Sequence, residues 1–376
     1  MVTDTRLPLL DYAASLTPNV SLKRALLITC QHILESNGIL LDYLLELGLE
    51  PKNTFLLGKC YSTNNEVAKE LTDKGIYVHP ASMEFDSHIA FDDHHAQAAR
   101  DLFGYVKNEV DIESFEKIII IDEGGQLIVE AHHQLDDFSK IRAVEWTSSG
   151  YDILRRQELL FPVINMARSE AKLHLESPMI ADLIVQKFQE YISDATVSAK
   201  HILVIGGGYI GSNIAEALSK DFWVQRFDIV SDKSDLVGKE LETILGNFDV
   251  IIGSTGRTSI PSTLHSKLKQ DTVLLSASSS DREFESAALR KRVARTTNPH
   301  DNLIVDGIHV VNCGFPVTFD GTKQLIPLEK IQLTDALAYS SAIQAATTLA
   351  GPGIQSLDED TQQRLINQFT NLSKAS

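Results

Sequence analysis

A lysine and a glutamate four residues apart, Lys172 and Glu176, stand in the stretch SEAKLHLES. On a helix such a pair is either an exposed ion pair, worth about 0.3–0.5 kcal/mol, or a base beside its acidic partner. A lysine serves as a base only where burial and neighbours bring its pKa toward neutrality. The nine residues alone fit the plain ion pair. The FPVIN just upstream suggests that the segment leaves a strand edge rather than the middle of a solvated helix.

A second constellation is more specific. VIGGGYIGS places Gly206, Gly208 and Gly211 in a G-x-G-x-x-G pattern, with Tyr209 and Ile210 between the last two glycines. An apolar β-rich run precedes it and a helical pattern follows. The first glycine suits a tight turn, the second a close approach of backbone to pyrophosphate, and the third close helix–strand packing. The helix N-terminus offers free N–H groups to the phosphates. Asp228 ends the next strand, about 20 residues on, where a carboxylate accepts hydrogen bonds from ribose hydroxyls. That favours NAD over NADP, a preference that the nearby Arg226 weakens. The strand ends GSTG, with Thr255 and Gly256, and SASSS carry small residues that leave room for a nucleotide.

Short β-rich runs alternate with helical patterns along the chain, which predicts an α/β protein of two doubly wound parallel-sheet domains, one an NAD-binding Rossmann domain. ALLITCQ, NTFLLGKC, IYVHP and FEKIIIIDEGGQLI read as strands of the first, with helices over 36–48 and 63–75, the latter capped by Thr63. A long helix is expected from SPMIADLIVQKFQEYISDAT, opened by Ser177-Pro178. KHILVI, FWVQRFDIV, FDVIIG and TVLLS then read as strands of the second, NLIVDGIHVVNCG as a hairpin, and TDALAYSSAIQAATTLA as a helix. The expected division is a substrate domain over 1–180, to which 320–376 returns, and an NAD-binding domain over 181–319.

The net charge of −17 excludes a broad nucleic-acid-binding face, which needs clustered Lys and Arg. The three cysteines form no C-x-x-C pair, which fits a reducing compartment. No apolar run reaches the length of a membrane span and no secretion signal is read, so a cytoplasmic protein with no membrane partner is expected. The histidine pairs His94/His95 and His132/His133 lie in polar surroundings, and no metal site is expected.

Over roughly residues 25–345 the chain resembles the S-adenosyl-L-homocysteine hydrolase (adenosylhomocysteinase) family. LLFPVINMARSEAKLHLES is similar to the family segment that carries its catalytic lysine and aspartate, IDEGGQL to its DDGGDL, and CYSTNNEVAKEL to its STQDDVAAAL. TSSG, with Thr147, Ser148 and Ser149, looks like the family's NAD-contacting TTTG, and Asn312 in VVNCG matches another cofactor-contacting segment. The resemblance implies that Lys172 and Glu176 are the catalytic pair, His32 a substrate-side histidine and Glu123 an acid near the sugar. It further implies NAD that oxidises the ribose 3′-hydroxyl, elimination of a thiol, addition of water and return of the hydride, in a homo-oligomer. The chain departs from the pattern at Trp146, which replaces a glutamate, and at Ala167, Ser36 and Ser279. These positions serve adenine and ribose recognition more than the cofactor.

The function expected is therefore an adenosylhomocysteinase-like NAD-dependent enzyme acting on a nucleoside or sugar-like hydroxyl. Two alternatives stand beside it: a non-catalytic NAD- or nucleoside-binding regulator, and an ordinary NAD-dependent dehydrogenase of a small hydroxy acid.

Overall fold

The computed structural model describes residues 5–195, 197 and 199–375. In chain order its strands are β1 (Ala25–Cys30), β2 (Thr54–Leu57), β3 (Tyr77–Val78), β4 (Lys117–Asp122), β5 (Ile141–Glu145), β6 (Pro162–Asn165), β7 (His201–Ile205), β8 (Trp223–Phe227), β9 (Val250–Gly253), β10 (Val273–Ser276), β11 (Leu303–Val305), β12 (Ile308–Val310) and β13 (Gly353–Ser356). The chain divides into two compact units. One comprises Met1–Met83, His95–Leu173 and Thr322–Ser376, the other Glu84–His94 and His174–Gly321.

The first unit is built on a parallel sheet ordered β13-β6-β5-β4-β1-β2-β3. Both faces are covered, so its central strands are apolar over most of their length, as parallel strands buried on two sides tend to be, with the polar residues Asp122 and Glu145 at their carboxyl ends. In β1, Leu27 faces one core, while Leu26 and Ile28 face the other. The helices Glu35–Glu46, Asn65–Asp73 and Leu328–Thr347 close the first face, and Phe91–Glu109 and Gln126–Gln134 the second. Winding reverses between β1 and β4, which opens a crevice at their carboxyl ends, where ligands of such sheets bind.

The second unit holds a sheet ordered β11-β12-β10-β9-β7-β8, parallel except for β11, which pairs antiparallel with β12 as the expected hairpin. Ile202 and Val204 of β7 face a core shared with the helices Ser177–Asp194 and Tyr209–Leu218, while Leu203 and Ile205 face the opposite one. Here the switch point lies between β7 and β9. Two doubly wound α/β sheets are thus the architecture of the chain.

Two local expectations differ. The helix Asn65–Asp73 is capped by Asn64, whose side chain accepts the Glu66 and Val67 N–H groups. Thr63 is held in a bridge with Ile33 and turns its hydroxyl to the Lys59 carbonyl instead. Upstream of Pro178 the backbone is already helical, because Lys172–Glu176 forms a π-helical turn that runs straight into Ser177–Asp194. Among the described residues no helix is long and apolar enough to cross a membrane.

Candidate functional site

In the second unit the glycine turn follows β7 directly. Gly206 has φ +107°, a left-handed conformation that only glycine adopts without strain. A Cβ on Gly211 would lie 1.9 Å from the Gly206 carbonyl oxygen, which is the close helix–strand packing expected of the third glycine. A Cβ on Gly208 would meet nothing within 4 Å, so the N-cap of the helix Tyr209–Leu218 fronts open space. Ile210 lies in the first turn of that helix, and Tyr209, at its start, is exposed and meets His174 edge-on.

Asp228 locks this turn. Its carboxylate accepts the Gly207 N–H at 2.6 Å and the Val230 N–H at 2.8 Å. Arg226 is turned away, its guanidinium bound to Asp235 at 2.8 Å, and the pair holds the Arg226 pKa above and the Asp235 pKa below their ordinary values. Across the switch point, Ser254 Oγ donates to the carbonyls of Ile205 and Gly206.

The neighbouring donors are already used. Glu283, fully buried, accepts the N–H groups of Thr255 at 2.6 Å and Gly256 at 2.7 Å, and the hydroxyls of Thr255 and Ser278. Burial raises its pKa against those hydrogen bonds. Asn312, at φ +53°, spends its amide on the carbonyls of Pro316 and Phe319. Its placement is therefore that of a loop organiser.

In the first unit the crevice between β1 and β4 gathers charge. His32, just past β1, donates its backbone N–H to Glu123 at 2.8 Å, and its Nδ1 lies 2.5 Å from Ser62 Oγ. His32 Nε2 stands 3.5 Å and Lys59 Nζ 4.0 Å from the Glu123 carboxylate. Burial drives the His32 pKa down to about 4; Glu123 opposes this, and Lys59 and Lys172 add to it. Burial disfavours charge on Lys59 as well, but its interactions with Tyr61, Glu123, Cys30 and Asp122 raise its pKa above the ordinary value. Glu123 is lowered, because His32 and Lys59 overcome its burial. At neutral pH the cluster thus holds a neutral imidazole, a carboxylate and an ammonium.

Beside it Asp122 and Glu145 face each other in the β4–β5 ladder, both buried, and burial raises both pKa values. Glu145 Oε1 accepts the N–H groups of Thr147 and Gly124 and the Thr147 hydroxyl. Thr147 in turn caps the helix Ser148–Leu154 through the Gly150 N–H, and Ser149 Oγ lies 3.5 Å from the Thr147 hydroxyl. Gln31 and Trp146 are buried at the same sheet edge. Neither polar atom of the Gln31 amide, nor the Trp146 indole N–H, has a hydrogen-bond partner among the described residues.

His32 and Glu123 are therefore brought together. Lys172 and Glu176 occupy the two ends of one π-helical turn, where the chain passes from the first unit to the second. Sequence reasoning missed Lys59, although a lysine closing the apolar run TFLLG signals a charge at a buried strand end. It also missed Gln31 and Glu283. Of the histidine pairs, His132 is satisfied by the Ile128 carbonyl and the Leu160 N–H, and His95 lies 3.3 Å from the Cys30 thiol.

No protein-family model matches the chain. It is 35% identical over 355 residues to Uncharacterized protein Rv0104 of Mycobacterium tuberculosis (strain ATCC 25618 / H37Rv), covering 93% of this chain and 69% of that protein. Uncharacterized protein MT0113 of strain CDC 1551 / Oshkosh matches to the same extent. Among solved structures, an NAD+-bound 3-phosphoglycerate dehydrogenase of Entamoeba histolytica superposes with TM-score 0.37 at 12% identity, over 86% of this chain and 93% of that one. An L-alanine dehydrogenase gives 0.32 at 15%, over 92% and 99%. An NAD-dependent formate dehydrogenase of Staphylococcus aureus gives 0.30 at 11%, over 57% and 66%.

Proposed function

The chain belongs to the same family as the two mycobacterial proteins, and from that premise we propose that it is an NAD-dependent oxidoreductase of adenosylhomocysteinase-like type, acting on a nucleoside or sugar-like hydroxyl. The observation that carries the reading is the glycine turn: an open approach at Gly208, a helix start packed tightly on the turn at Gly211, and Asp228 locking Gly207. Those residues fit a dinucleotide. The carboxylate at the ribose position, with Arg226 held by Asp235, supports NAD over its 2′-phosphorylated form.

When bound, NAD would supply the hydride acceptor for a carbinol carbon. The chain's own groups in the first unit suit a polyhydroxylated substrate. Glu123, kept ionised by Lys59, accepts hydrogen bonds from vicinal hydroxyls, and neutral His32 offers one more hydrogen-bonding atom. The Gln31 amide and the Trp146 indole N–H are buried at the same strand ends without partners among the described residues. In this reading Lys172 is the proton-accepting group, with Glu176 its acidic partner by resemblance. Thiol elimination and hydrolysis, a cytoplasmic location and a homo-oligomer belong to the same proposal.

Mass spectrometry of the small molecules released on denaturing the purified chain tests it. NADH with an oxidised sugar or nucleoside is the expected result. Absence of nucleotide, with no uptake of added NAD, overturns it.

A second reading, a non-catalytic NAD- or nucleoside-binding protein, is favoured by one observation. An imidazole with a pKa of about 4 is a weak base at neutral pH. Nucleoside binding with no change in nicotinamide absorbance supports that reading, and any reproducible hydride transfer eliminates it.

A further inference from the structure

The carboxyl ends of β4, β5 and β6 bring three buried polar side chains into register: Asp122 pairs with Glu145, and Glu145 with Asn165. Ile120, Ala143 and Val163, two residues earlier in each strand, share one core, so the three polar side chains leave the same face of the sheet. Each has an oxygen (Asp122 Oδ1, Glu145 Oε2, Asn165 Oδ1) without a hydrogen-bond partner among the described residues. We propose that Glu145 is a positioning residue for Glu123 and acts as a neutral carboxylic acid, its Oε2 carrying one proton that the acid pair retains at neutral pH.

The proton follows from the missing donor. Three acceptor oxygens lie on neighbouring strand ends, and all of them are shut off from water. Burying carboxylate oxygens without a donor is costly, and two ionised acids on adjacent strands also repel each other. A proton on Glu145 Oε2 turns one acceptor into a donor and removes one of the two charges. Glu145 rather than Asp122 holds it because of what surrounds each. Asp122 accepts the Ile128 N–H at 3.0 Å, and the Lys59 ammonium favours its charge; the Glu123 carboxylate and the Cys30 thiol are its other titratable neighbours. Glu145 faces the Asp122 charge, the Thr147 hydroxyl and the uncharged Asn165, and burial together with Asp122 raises its pKa well above the ordinary value.

The positioning role follows from the other oxygen. Glu145 Oε1 accepts the Thr147 N–H and the Thr147 hydroxyl, each at 2.7 Å, and the Gly124 N–H at 3.2 Å. The last belongs to the peptide that joins Glu123 to Gly124, so it fixes the backbone from which the Glu123 side chain leaves. Glu123 in turn accepts the His32 N–H at 2.8 Å. A Cβ on Gly150 would overlap the Glu145 carboxyl, so the helix Ser148–Leu154 starts pressed against it. The proton is independent of the function proposed above. The positioning role rests on that reading, in which Glu123 is the acid that takes the substrate hydroxyls.

The test compares Glu145→Gln with the wild-type chain. Glutamine keeps the Oε1 acceptor and places an N–H where Oε2–H stood, so it copies the neutral acid. Infrared spectra of the full chain in heavy water at neutral pH should show a protonated-carboxyl band that Glu145→Gln loses. The variant should unfold at the same urea concentration as the wild type and leave the His32 imidazole titration, followed by NMR, where it was. Glu145→Leu removes all three hydrogen bonds at Oε1 and should shift that titration. Thr147→Val, which removes one of them, should shift it less and serves if the leucine variant does not fold. A carboxyl band that survives Glu145→Gln, or a lower urea midpoint for that variant, overturns the neutral acid. A His32 titration that moves with neither Glu145→Leu nor Thr147→Val overturns the positioning role. NAD uptake on the same samples stands or falls with the proposed function alone, since neither readout needs nucleotide.

Discussion

Asp228 Oδ2 accepts the Gly207 N–H at 2.6 Å, so the acid proposed to read a ribose also holds the glycine turn shut. One carboxylate therefore sets both the shape of the turn and the charge beside it. Asp228→Ala should weaken NAD binding by about tenfold or more while leaving NADP binding less affected, because the repulsive charge leaves with the lost acceptor. Titration calorimetry with both nucleotides measures the ratio; an unchanged preference would remove Asp228 from the site.

Two glycines of the turn should separate by function. At Gly211 a methyl meets the Gly206 carbonyl, and Gly211→Ala is expected to cost at least about 1–3 kcal/mol of stability. At Gly208 a methyl meets nothing, so Gly208→Ala should change stability by less than about 1 kcal/mol. It should nonetheless abolish dinucleotide uptake by filling the approach. Urea unfolding and nucleotide binding on the same two variants make the comparison.

His32 gives a signed pH dependence. Its folded pKa, about 4, lies below the unfolded value of 6.5, so the unfolded chain binds the proton more readily. The contribution is intact above pH 6.5 and is lost progressively as the pH falls toward 4, up to about 3 kcal/mol. His32→Gln should flatten that part of the stability–pH curve. Parallel curves for the two proteins between pH 7 and 4 would disprove the shift.

Arg290 is the largest fully buried side chain of the second unit. It bonds Asp281, the carbonyls of Ser87 and Ile89, and the Cys313 carbonyl at 2.6 Å, and so ties the Glu84–His94 segment into that unit. Arg290→Met should cost about 3–5 kcal/mol, since it leaves the Asp281 charge and three carbonyls buried without their partner. Denaturant unfolding followed by hydrogen exchange at residues 84–94 would show whether the loss begins there.

What could be read from the sequence was what is encoded locally. The runs ALLITCQ and KHILVI are legible as strands because a parallel strand buried on both faces is a short, mostly apolar run. The glycine turn is legible for a similar reason, since its constraints fall within a few residues. Asn64 rather than Thr63 as cap was decided by a contact with Ile33, remote in sequence. Lys59, Gln31 and Glu283 escaped notice because their meaning lies in what surrounds them. Nothing in TFLLGKC announces that Glu123 will stand 4.0 Å from the lysine. The resemblance supplied His32 and Glu123, and the structure places them side by side.

The first unit is assembled from three stretches of chain, and its sheet is completed by β13, beyond the whole of the second unit. During synthesis, then, the helix Leu328–Thr347 and the edge strand emerge only after the second unit's contiguous sheet has had time to fold. Until they arrive, the part of that face which the helices Glu35–Glu46 and Asn65–Asp73 do not cover, Trp146 included, lacks the helix that carries Tyr339. A ribosome stalled before residue 328 would hold one finished unit and one unfinished one, and the interval between them is a window for chaperone binding.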